Sequence, residues 1–287
     1  MSRSFLFVPA DSDRKLSRAA ESGADALILD LEDSVLPGSR PAARDNVREF
    51  LADEFDGQVW VRINPLDTRD ALDDLRAAVP AGPHGIVLPK PEGAKDANQL
   101  AKLLEVLEEE GDLAVGGTRI LPVATERPAA LFRLHEYAEA TARLAGLAWG
   151  AEDLSAAVGA SANKDAAGRW LPPYEMARSL CLMAASAAAV PAIDTVYTDF
   201  KDTSGLQNYA ANARRDGFGG MLAIHPDQVG IINKAFLPTD EEIERARRID
   251  RLFRDNPESG ALAMDGEMID RPHWVQAQRI LDLVKRN

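Results

Sequence analysis

Short apolar segments recur along the chain, and each ends at proline, glycine or a charged residue. Their ends recur roughly every 31 residues, a spacing typical of one βα unit. Most of them are apolar throughout rather than alternating, which is typical of parallel strands covered on both faces. The segments that predict strands are residues 4–10, 25–33, 58–65, 85–92, 119–126, 144–153, 190–200 and 219–226.

The intervals between these segments have helical patterns. One predicted helix begins at an N-capping Thr68 and stops before Pro80. A long and nearly wholly apolar helix is predicted over residues 171–189, after an unusually long loop of about residues 155–172.

Strands that alternate with helices indicate an α/β protein, and eight such units indicate a (β/α)8, or TIM, barrel over residues 1–255. A capping box of Thr239 and Glu242 predicts the start of a further helix that ends near residue 255. The alternative is a doubly wound open sheet, but no G-x-G-x-x-G follows the first strand.

A C-terminal hairpin-plus-helix extension is predicted over residues 256–287. Asp265 and Gly266 lie between two short apolar runs, which is a strong signal for a type I′ hairpin. Pro272 then starts a final amphipathic helix. Such an extension can fold over its own barrel or over that of a neighbouring subunit.

The composition narrows the classes of partner. The 287 residues carry a net charge of −13 and contain no block of Lys and Arg, so we expect no nucleic-acid and no membrane partner. The lone Cys181 lies in an apolar run and allows no internal disulfide. The first apolar run is too short for a signal peptide, and no run is long enough to span a membrane, which predicts a cytoplasmic protein.

Polar residues collect at the ends of the predicted strands. Barrel enzymes place their chemistry at the C-terminal ends of the strands, where residues far apart in sequence meet at one rim. A single charged strand end is often only a solvated loop start, but here five strands share the feature. The residues at the ends of these five strands are Asp30, Glu32, Asp33, Arg62, Asn64, Lys90, Glu92, Glu126, Arg127, Glu152 and Asp153, and the eighth strand ends in His225.

Several carboxylates and few histidines favour a hard cation such as Mg²⁺ that keeps some of its waters. The four histidines have no spacing typical of a zinc site, and the chain has no G-x-S-x-G elbow and no phosphate-binding P-loop motif. Mg²⁺ with an arginine and a lysine at a barrel rim suits an anionic substrate that passes through an enolate.

Eight motifs, in this order along nearly the whole chain, resemble a known family: "RSFLFVPADSDRKLSRA", "LILDLEDSV", "VRIN", "LPKPE", "TERPAALF", "WGAEDLSAAVG", "GFGGMLAIHPDQV" and "GEMIDRPHW". The chain resembles the citrate lyase β-subunit-like group of the HpcH/HpaI aldolase/citrate lyase family, which includes malyl-CoA and citramalyl-CoA lyases. The resemblance implies a (β/α)8 barrel that assembles as a homotrimer or homohexamer.

The resemblance also implies site residues. Glu126 and Asp153 match carboxylates that hold Mg²⁺, and Arg62 matches an arginine that binds the substrate. Asp270 matches an aspartate that acts as acid/base from a neighbouring subunit. Asp265 is a rival for that role, although an aspartate in a hairpin turn usually serves the backbone conformation.

The activity implied is a Mg²⁺-dependent carbon–carbon lyase reaction. A 3-hydroxyacyl-CoA would be cleaved reversibly into acetyl-CoA and a 2-keto acid, with Glu126 presenting the metal to the substrate. Two alternatives stay open. One is an aldolase that acts on free hydroxy-keto acids, and the other is a citrate lyase β subunit that needs an acyl-carrier-protein partner.

Other residues of the rim are given supporting roles. Arg14 and Lys15 are placed against the phosphates of CoA, or they belong to an ordinary exposed helix start. Glu32 and Asp33 are placed in a second shell around the metal, where they accept hydrogen bonds from metal-bound waters, with direct ligation as the lesser option.

Two cations at the rim have open roles. Lys90 either neutralises rim carboxylates or forms a plain salt bridge. Arg127 departs from the family pattern, which commonly has Thr or Ser after the metal glutamate. Its guanidinium either clamps a substrate carboxylate or pairs with a rim acid.

Overall fold

Eight parallel strands form one sheet in the computed structural model, which describes residues 2–285. The strands are β1 (Ser4–Pro9), β2 (Ala26–Asp30), β3 (Gln58–Arg62), β4 (Gly85–Leu88), β5 (Arg119–Pro122), β6 (Leu147–Ala148), β7 (Ala192–Asp194) and β8 (Gly220–Ala223).

The strand order is β5-β4-β3-β2-β1-β8-β7-β6, with parallel pairing throughout. The two outer strands of this order are joined by parallel bridges from Ile120 to Leu144 and from Val123 to Ala148. These bridges close the sheet into a barrel. The predicted (β/α)8 barrel is therefore confirmed over the doubly wound open sheet.

Helices follow the strands, and a short antiparallel hairpin precedes the last of them. The helices are α1 (Asp13–Ala20), α2 (Arg40–Ala52), α3 (Asp70–Ala78), α4 (Ala94–Glu110), α5 (Pro128–Leu131), α6 (Glu152–Ala157), α7 (Pro172–Ala187), α8 (Thr203–Asp216), α9 (Pro226–Ala235), α10 (Asp240–Asp255) and α11 (Arg271–Lys285). The hairpin strands are β9 (Ala261–Met264) and β10 (Glu267–Asp270). None of the helices within residues 2–285 combines the length and the apolar character that a membrane crossing requires.

Side chains from the strands fill the barrel. They form one buried apolar cluster, in which Trp60 is the largest member. Gly85 lies beside Trp60 in the β3–β4 register, and a Cβ at this position would overlap the indole ring. The cluster consists of Phe5, Ala26, Ile28, Trp60, Val87, Leu121, Val123, Ala148, Ile193 and Leu222.

Two local predictions are corrected by the structure. Helix α3 begins at Asp70 rather than after an N-capping Thr68, because the Thr68 hydroxyl donates to the carbonyl oxygen of Pro65 at 2.7 Å. This local hydrogen bond competes with capping. The long loop after β6 begins later than residue 155, since α6 continues to Ala157.

The chain divides into two compact units between Asn233 and Lys234. The second unit has its own apolar core, formed by α10, the hairpin and α11, and the ring of Phe253 stacks on Trp274 at 5.4 Å. Helix α10 therefore groups with the extension, and the division lies before the boundary predicted at residue 255. The apolar face of α10 is buried against the hairpin and α11, which explains why the boundary lies before α10 and not after it.

Both sequence signals within the second unit are confirmed. The side chain of Thr239 accepts from the backbone N–H of Glu242, and the Glu242 carboxylate accepts from the Thr239 N–H, which completes the capping box. Asp265 and Gly266 have φ values of 56° and 81°, as a type I′ turn requires.

Candidate active site

A cavity of about 350 Å³ opens at the C-terminal ends of the barrel strands. Parallel strands present these ends at one rim, and the cavity is lined by residues of seven strands or of the loops that follow them. Its lining combines apolar side chains from β1, β7 and β8 with charged side chains that follow β2, β3, β5 and β6. The lining residues are Phe7, Pro9, Asp30, Ser34, Arg62, Val123, Glu126, Gly150, Ala151, Glu152, Asp153, Thr195, Val196, Leu222 and Ile224.

Arg62 ends β3 and is held rigidly at the wall of this cavity. Asp30 is its partner in the β2–β3 register, and the two side chains form a bidentate pair, with Nε and Nη2 each 2.6 Å from a carboxylate oxygen. Nη1 lies 3.0 Å from Glu32 Oε2, at an angle that does not make a hydrogen bond. The guanidinium also lies over the Phe7 ring, 4.7 Å from its centroid.

The charges of this pair are strongly coupled. Burial disfavours the charged form of Asp30, but the charge and the hydrogen bonds of Arg62 hold the pKa of that carboxyl below its ordinary value. Burial also disfavours the charged form of Arg62. The negative charges of Asp30 and Glu32 outweigh this effect, so the pKa of the guanidinium is raised. Arg62 is therefore a fixed cation at every accessible pH.

Glu126 follows β5 and is almost completely buried, with 4% of the residue exposed. Its Oε2 accepts the backbone N–H of Lys90 at 2.5 Å. Gly150 lies beside it, and a Cβ there would lie 2.8 Å from Glu126 Cγ, so the glycine leaves room for the carboxylate. Burial and then the nearby charge of Asp153 raise the pKa of Glu126 well above its ordinary value.

Asp153 lies in the first turn of α6, and its side chain is about one-third exposed. The Lys90 ammonium lies 3.4 Å from Asp153 Oδ1. The structure thus brings Arg62, Glu126 and Asp153 together at one cavity. Their roles in metal and substrate binding remain a prediction.

This donor set fits a hard cation. Glu126 is buried beside the Asp153 carboxylate, and the neighbouring protein groups supply too little positive charge to stabilise its ionised form. A divalent cation next to Glu126 and Asp153 would supply that charge. Among residues 2–285, no group of three or more His, Cys, Asp or Glu side chains is arranged to hold a metal ion. Two carboxylates suit Mg²⁺ nevertheless, because Mg²⁺ usually keeps several waters and binds one or two carboxylates together with substrate oxygens.

Glu32 and Asp33 are bound to cations of the protein. The Lys90 ammonium donates to Glu32 Oε1 at 2.5 Å and to Asp33 Oδ2 at 2.9 Å. Glu32 is buried, and this burial raises the pKa of its carboxyl despite Arg62 and Lys90. Their assignment to a second shell around a metal remains a prediction.

Lys90 and Asp30 make more contacts at the rim than the sequence motifs predicted. The signal for Asp30 was available, since aligned ends of adjacent parallel strands place Asp30 beside Arg62. The signal for Lys90 was its position between Pro89 and Pro91 directly after β4.

Arg14 and Lys15 lie at the exposed start of α1, and neither lines the cavity. Within residues 2–285 no side-chain hydrogen bond or ion pair of either is found. Their contact with CoA phosphates therefore remains a prediction.

Asp270 ends β10 in the C-terminal unit and is paired with a histidine. Its Oδ1 lies 2.5 Å from Nδ1 of His273, and its side chain is about one-third exposed. The rival Asp265 forms an ion pair with Arg248 at 2.7 Å and has the positive φ of the turn. These contacts favour a structural role for Asp265 and leave Asp270 as the candidate acid/base.

Arg127 pairs with rim acids. Its Nη2 lies 2.8 Å from Asp67 Oδ2, and its Nη1 lies 3.4 Å from Glu92 Oε1. It lines a separate cavity of about 270 Å³ and not the one that contains Arg62 and Glu126. Of the two roles open at the sequence level, the structure contains the ion pair.

Comparisons with known proteins identify the family to which the chain is similar. A family model described as HpcH/HpaI aldolase/citrate lyase matches residues 3–226. The chain is 34% identical to citrate lyase subunit beta of Leuconostoc mesenteroides subsp. cremoris, over 99% of this chain and 94% of that protein. It is 30% identical to the mitochondrial citramalyl-CoA lyase of Rattus norvegicus, over 98% of this chain and 85% of that protein.

A solved structure agrees over the same length. Protein CitE from Mycobacterium tuberculosis, in complex with magnesium, acetoacetate and coenzyme A, superimposes with a TM-score of 0.83 and 32% sequence identity. The superposition covers 99% of this chain and 98% of that one. The chain belongs to the HpcH/HpaI aldolase/citrate lyase family.

Proposed function

We propose that the chain is a Mg²⁺-dependent carbon–carbon lyase that cleaves a 3-hydroxyacyl-CoA, such as malyl-CoA or citramalyl-CoA, into acetyl-CoA and a 2-keto acid. The single observation that carries the proposal is the rim cavity, in which Glu126, Asp153 and Arg62 meet. Relatives named for citrate lyase and citramalyl-CoA lyase support the reaction class, and a similar solved structure contains magnesium and coenzyme A.

Glu126 and Asp153 would hold the Mg²⁺ ion. When bound there, Mg²⁺ supplies Lewis-acid polarisation of a carbonyl and stabilises negative charge that develops on oxygen. Glu126 offers Oε1 to this site, because the Lys90 N–H occupies Oε2. Glu126 thereby also fixes where the keto acid lies.

Arg62 orients the substrate and stabilises oxyanion charge at the cavity wall. Its guanidinium is preorganised by Asp30 and by the Phe7 ring, so little reorganisation is needed when charge develops nearby. Loss of one such donor typically lowers the rate by about 10²–10³. Arg14 and Lys15 contribute to binding the CoA phosphates from the start of α1.

Asp270 moves the proton on the acetyl carbon, reaching the cavity of a neighbouring subunit in a homotrimer or homohexamer. A carboxylate can accept this proton and return it, and it does so more effectively when it is shielded from water. His273 contacts the Asp270 carboxylate and fixes its orientation.

The test uses purified full-length protein with Mg²⁺, acetyl-CoA and either glyoxylate or pyruvate. Formation of a malyl-type thioester from glyoxylate, or of a citramalyl-type thioester from pyruvate, is expected, and EDTA should stop it. Glu126→Ala and Asp153→Ala should abolish activity, whereas Glu109→Ala, an exposed glutamate of α4, serves as the control. Full activity in either site variant would refute the proposal.

A second candidate is a citrate lyase β subunit that needs an acyl-carrier-protein partner. The identity of 34% to a protein with that name favours it. A third is an aldolase that acts on free hydroxy-keto acids without CoA. Turnover of free CoA thioesters by the isolated protein excludes the need for a carrier partner. Absence of CoA-thioester binding, with cleavage of free hydroxy-keto acids, would favour the aldolase.

A further inference from the structure

Lys90 contacts all four carboxylates that surround the proposed cation site. Its ammonium lies 2.5 Å from Glu32 Oε1, 2.9 Å from Asp33 Oδ2 and 3.4 Å from Asp153 Oδ1. Its backbone N–H donates to Glu126 Oε2 at 2.5 Å. One residue therefore engages both proposed metal ligands and both acids that follow β2.

The backbone of Lys90 is held in an unusual conformation to make these contacts. Its φ is 49°, in the left-handed region that residues with a Cβ adopt rarely. Pro91 disfavours the right-handed helical region for the residue before it, and Pro89 fixes its own φ on the other side. Strained backbone of this kind persists where the surrounding structure requires it, and it is concentrated at functional sites.

The contacts divide the four carboxylates into two sets. Glu32 and Asp33 accept hydrogen bonds from the ammonium at 2.5 and 2.9 Å. Asp153 lies farther from the ammonium, at 3.4 Å, and Glu126 contacts only the backbone N–H of Lys90, which leaves its other oxygen unengaged by Lys90. Within residues 2–285 no three or more acidic, histidine or cysteine side chains are arranged to hold a metal ion. This is expected if Lys90 keeps Glu32 and Asp33 from joining Glu126 and Asp153 as ligands.

We infer that Lys90 is a positioning residue that restricts the cation site to Glu126 and Asp153. Because its ammonium binds Glu32 and Asp33, these carboxylates would not ligate the metal. Coordination positions would then remain for water and for the oxygens of the 2-keto acid. This inference rests on the proposed function, because it concerns the Mg²⁺ site of that reaction. In this proposal Lys90 weakens cation binding and thereby leaves the cation free to chelate the substrate.

A neutral side chain at position 90 should have two opposite effects. The divalent cation should bind about tenfold more tightly, because a unit charge a few ångströms away no longer repels it. The 2-keto acid should bind the loaded protein more weakly, because Glu32 and Asp33 become available to replace waters in the coordination shell. A purely structural role of Lys90 would weaken both kinds of binding together.

Mn²⁺ is the probe, since its binding is followed by electron paramagnetic resonance and its bound waters by water-proton relaxation. Lys90→Met and Lys90→Gln are compared with the wild type at full chain length, and Lys90→Arg retains the charge. Lys95→Met is the matched control, because Lys95 pairs with Glu92 at 2.8 Å outside the rim cavity. Circular dichroism confirms folding, and Lys90→Gln retains hydrogen-bond donors if Lys90→Met does not fold.

The expected result is tighter Mn²⁺ binding, lower relaxation enhancement and weaker pyruvate or glyoxylate binding in the neutral variants. Lys90→Arg and Lys95→Met should behave as the wild type. Unchanged or weaker Mn²⁺ binding in the folded neutral variants, with a wild type that binds Mn²⁺, would overturn this inference alone. A wild type that binds no Mn²⁺ would overturn both the inference and the metal dependence of the proposed function.

Discussion

Arginines of the barrel with little solvent exposure are bound by carboxylates that lie far away in the sequence. Arg62 is held by Asp30 at the rim cavity, and Arg143 is held by Glu108 elsewhere in the barrel. The first pair orients a guanidinium towards a cavity. Neither Glu108 nor Arg143 lines the rim cavity, so we expect the second pair to contribute to stability.

Glu108 provides a prediction about acid stability. It is buried and accepts hydrogen bonds from Arg143 and from the N–H groups of Gly116 and Thr118. Burial acts against its ionised form, but these donors lower the pKa of Glu108 to about 2 from its ordinary 4.5. The ionised form therefore contributes about 3 kcal/mol above pH 4.5, and this contribution is lost as the pH falls from 4.5 towards 2.

Glu108→Gln should lower the free energy of unfolding at pH 7 by about 3–5 kcal/mol, because it leaves the Arg143 charge buried without its partner. Urea denaturation at pH 7 and at pH 3 measures the effect, which should be smaller at pH 3. Glu109→Gln, on the exposed side of the same helix, is the control. An equal loss at both pH values would contradict the assignment.

Arg127 provides a prediction about substrate contact. It pairs with Asp67 and Glu92 and is one-third exposed, so Arg127→Thr should change stability by less than about 1 kcal/mol. The KM for the keto acid should stay at the wild-type value, since Arg127 does not line the rim cavity. Steady-state kinetics with pyruvate and glyoxylate test this. A rise in KM would instead identify Arg127 as a clamp for the substrate carboxylate.

At the scale of elements, strand ends and register determine which charges meet. The parallel register of β2 and β3 places Asp30 opposite Arg62. The short β6 and the following helix α6 carry Asp153 to the rim, and the turn after β4 carries Lys90. The site is therefore built from the last residues of the strands and from residues that follow them, and the barrel core beneath holds these residues in place.

The hairpin of the C-terminal unit provides a prediction at this scale. Gly266 has a φ of 81°, so Gly266→Ala should cost about 1–2 kcal/mol of local stability. Native-state hydrogen exchange should show faster exchange for amides of residues 261–270 and no change for the barrel strands. Gly260→Ala is the matched control, because a Cβ there meets nothing within 4 Å and its φ is not positive. Equal effects of the two variants would refute the turn assignment.

At the scale of the whole molecule, the two compact units carry different parts of the proposed machinery. Arg62, Glu126 and Asp153 belong to the barrel, and Asp270 belongs to the unit after Asn233. A homo-oligomer in which one subunit supplies Asp270 to the next would contain shared sites.

Shared sites predict complementation between inactive variants. Glu126→Ala and Asp270→Ala should each be inactive alone, whereas coexpression in equal amounts should restore about a quarter of wild-type activity, the fraction of sites with both residues intact. Activity and mass are measured on the purified mixed oligomers. Coexpression of Glu126→Ala with Asp153→Ala is the control and should stay inactive, because both changes lie in the barrel. Inactive mixed oligomers of the first pair would exclude an Asp270 supplied by a neighbour.

The sequence by itself determined the order and type of the elements and the residues that end each strand. These features are local, since apolar runs, capping boxes and turn residues act over a few positions. It therefore predicted the barrel, the hairpin turn and the concentration of acids at the rim, and the resemblance singled out Glu126, Asp153 and Arg62.

Only the tertiary structure decided which charges are partners. Asp30 with Arg62, Lys90 with Glu32 and Asp33, and Arg127 with Asp67 are pairs whose members lie more than 30 residues apart. Such pairing depends on strand register and on the path of the loops. Neither can be predicted from a pattern that extends over only a few residues. The same applies to the left-handed backbone of Lys90 and to the grouping of α10 with the C-terminal unit, since each results from packing between distant segments.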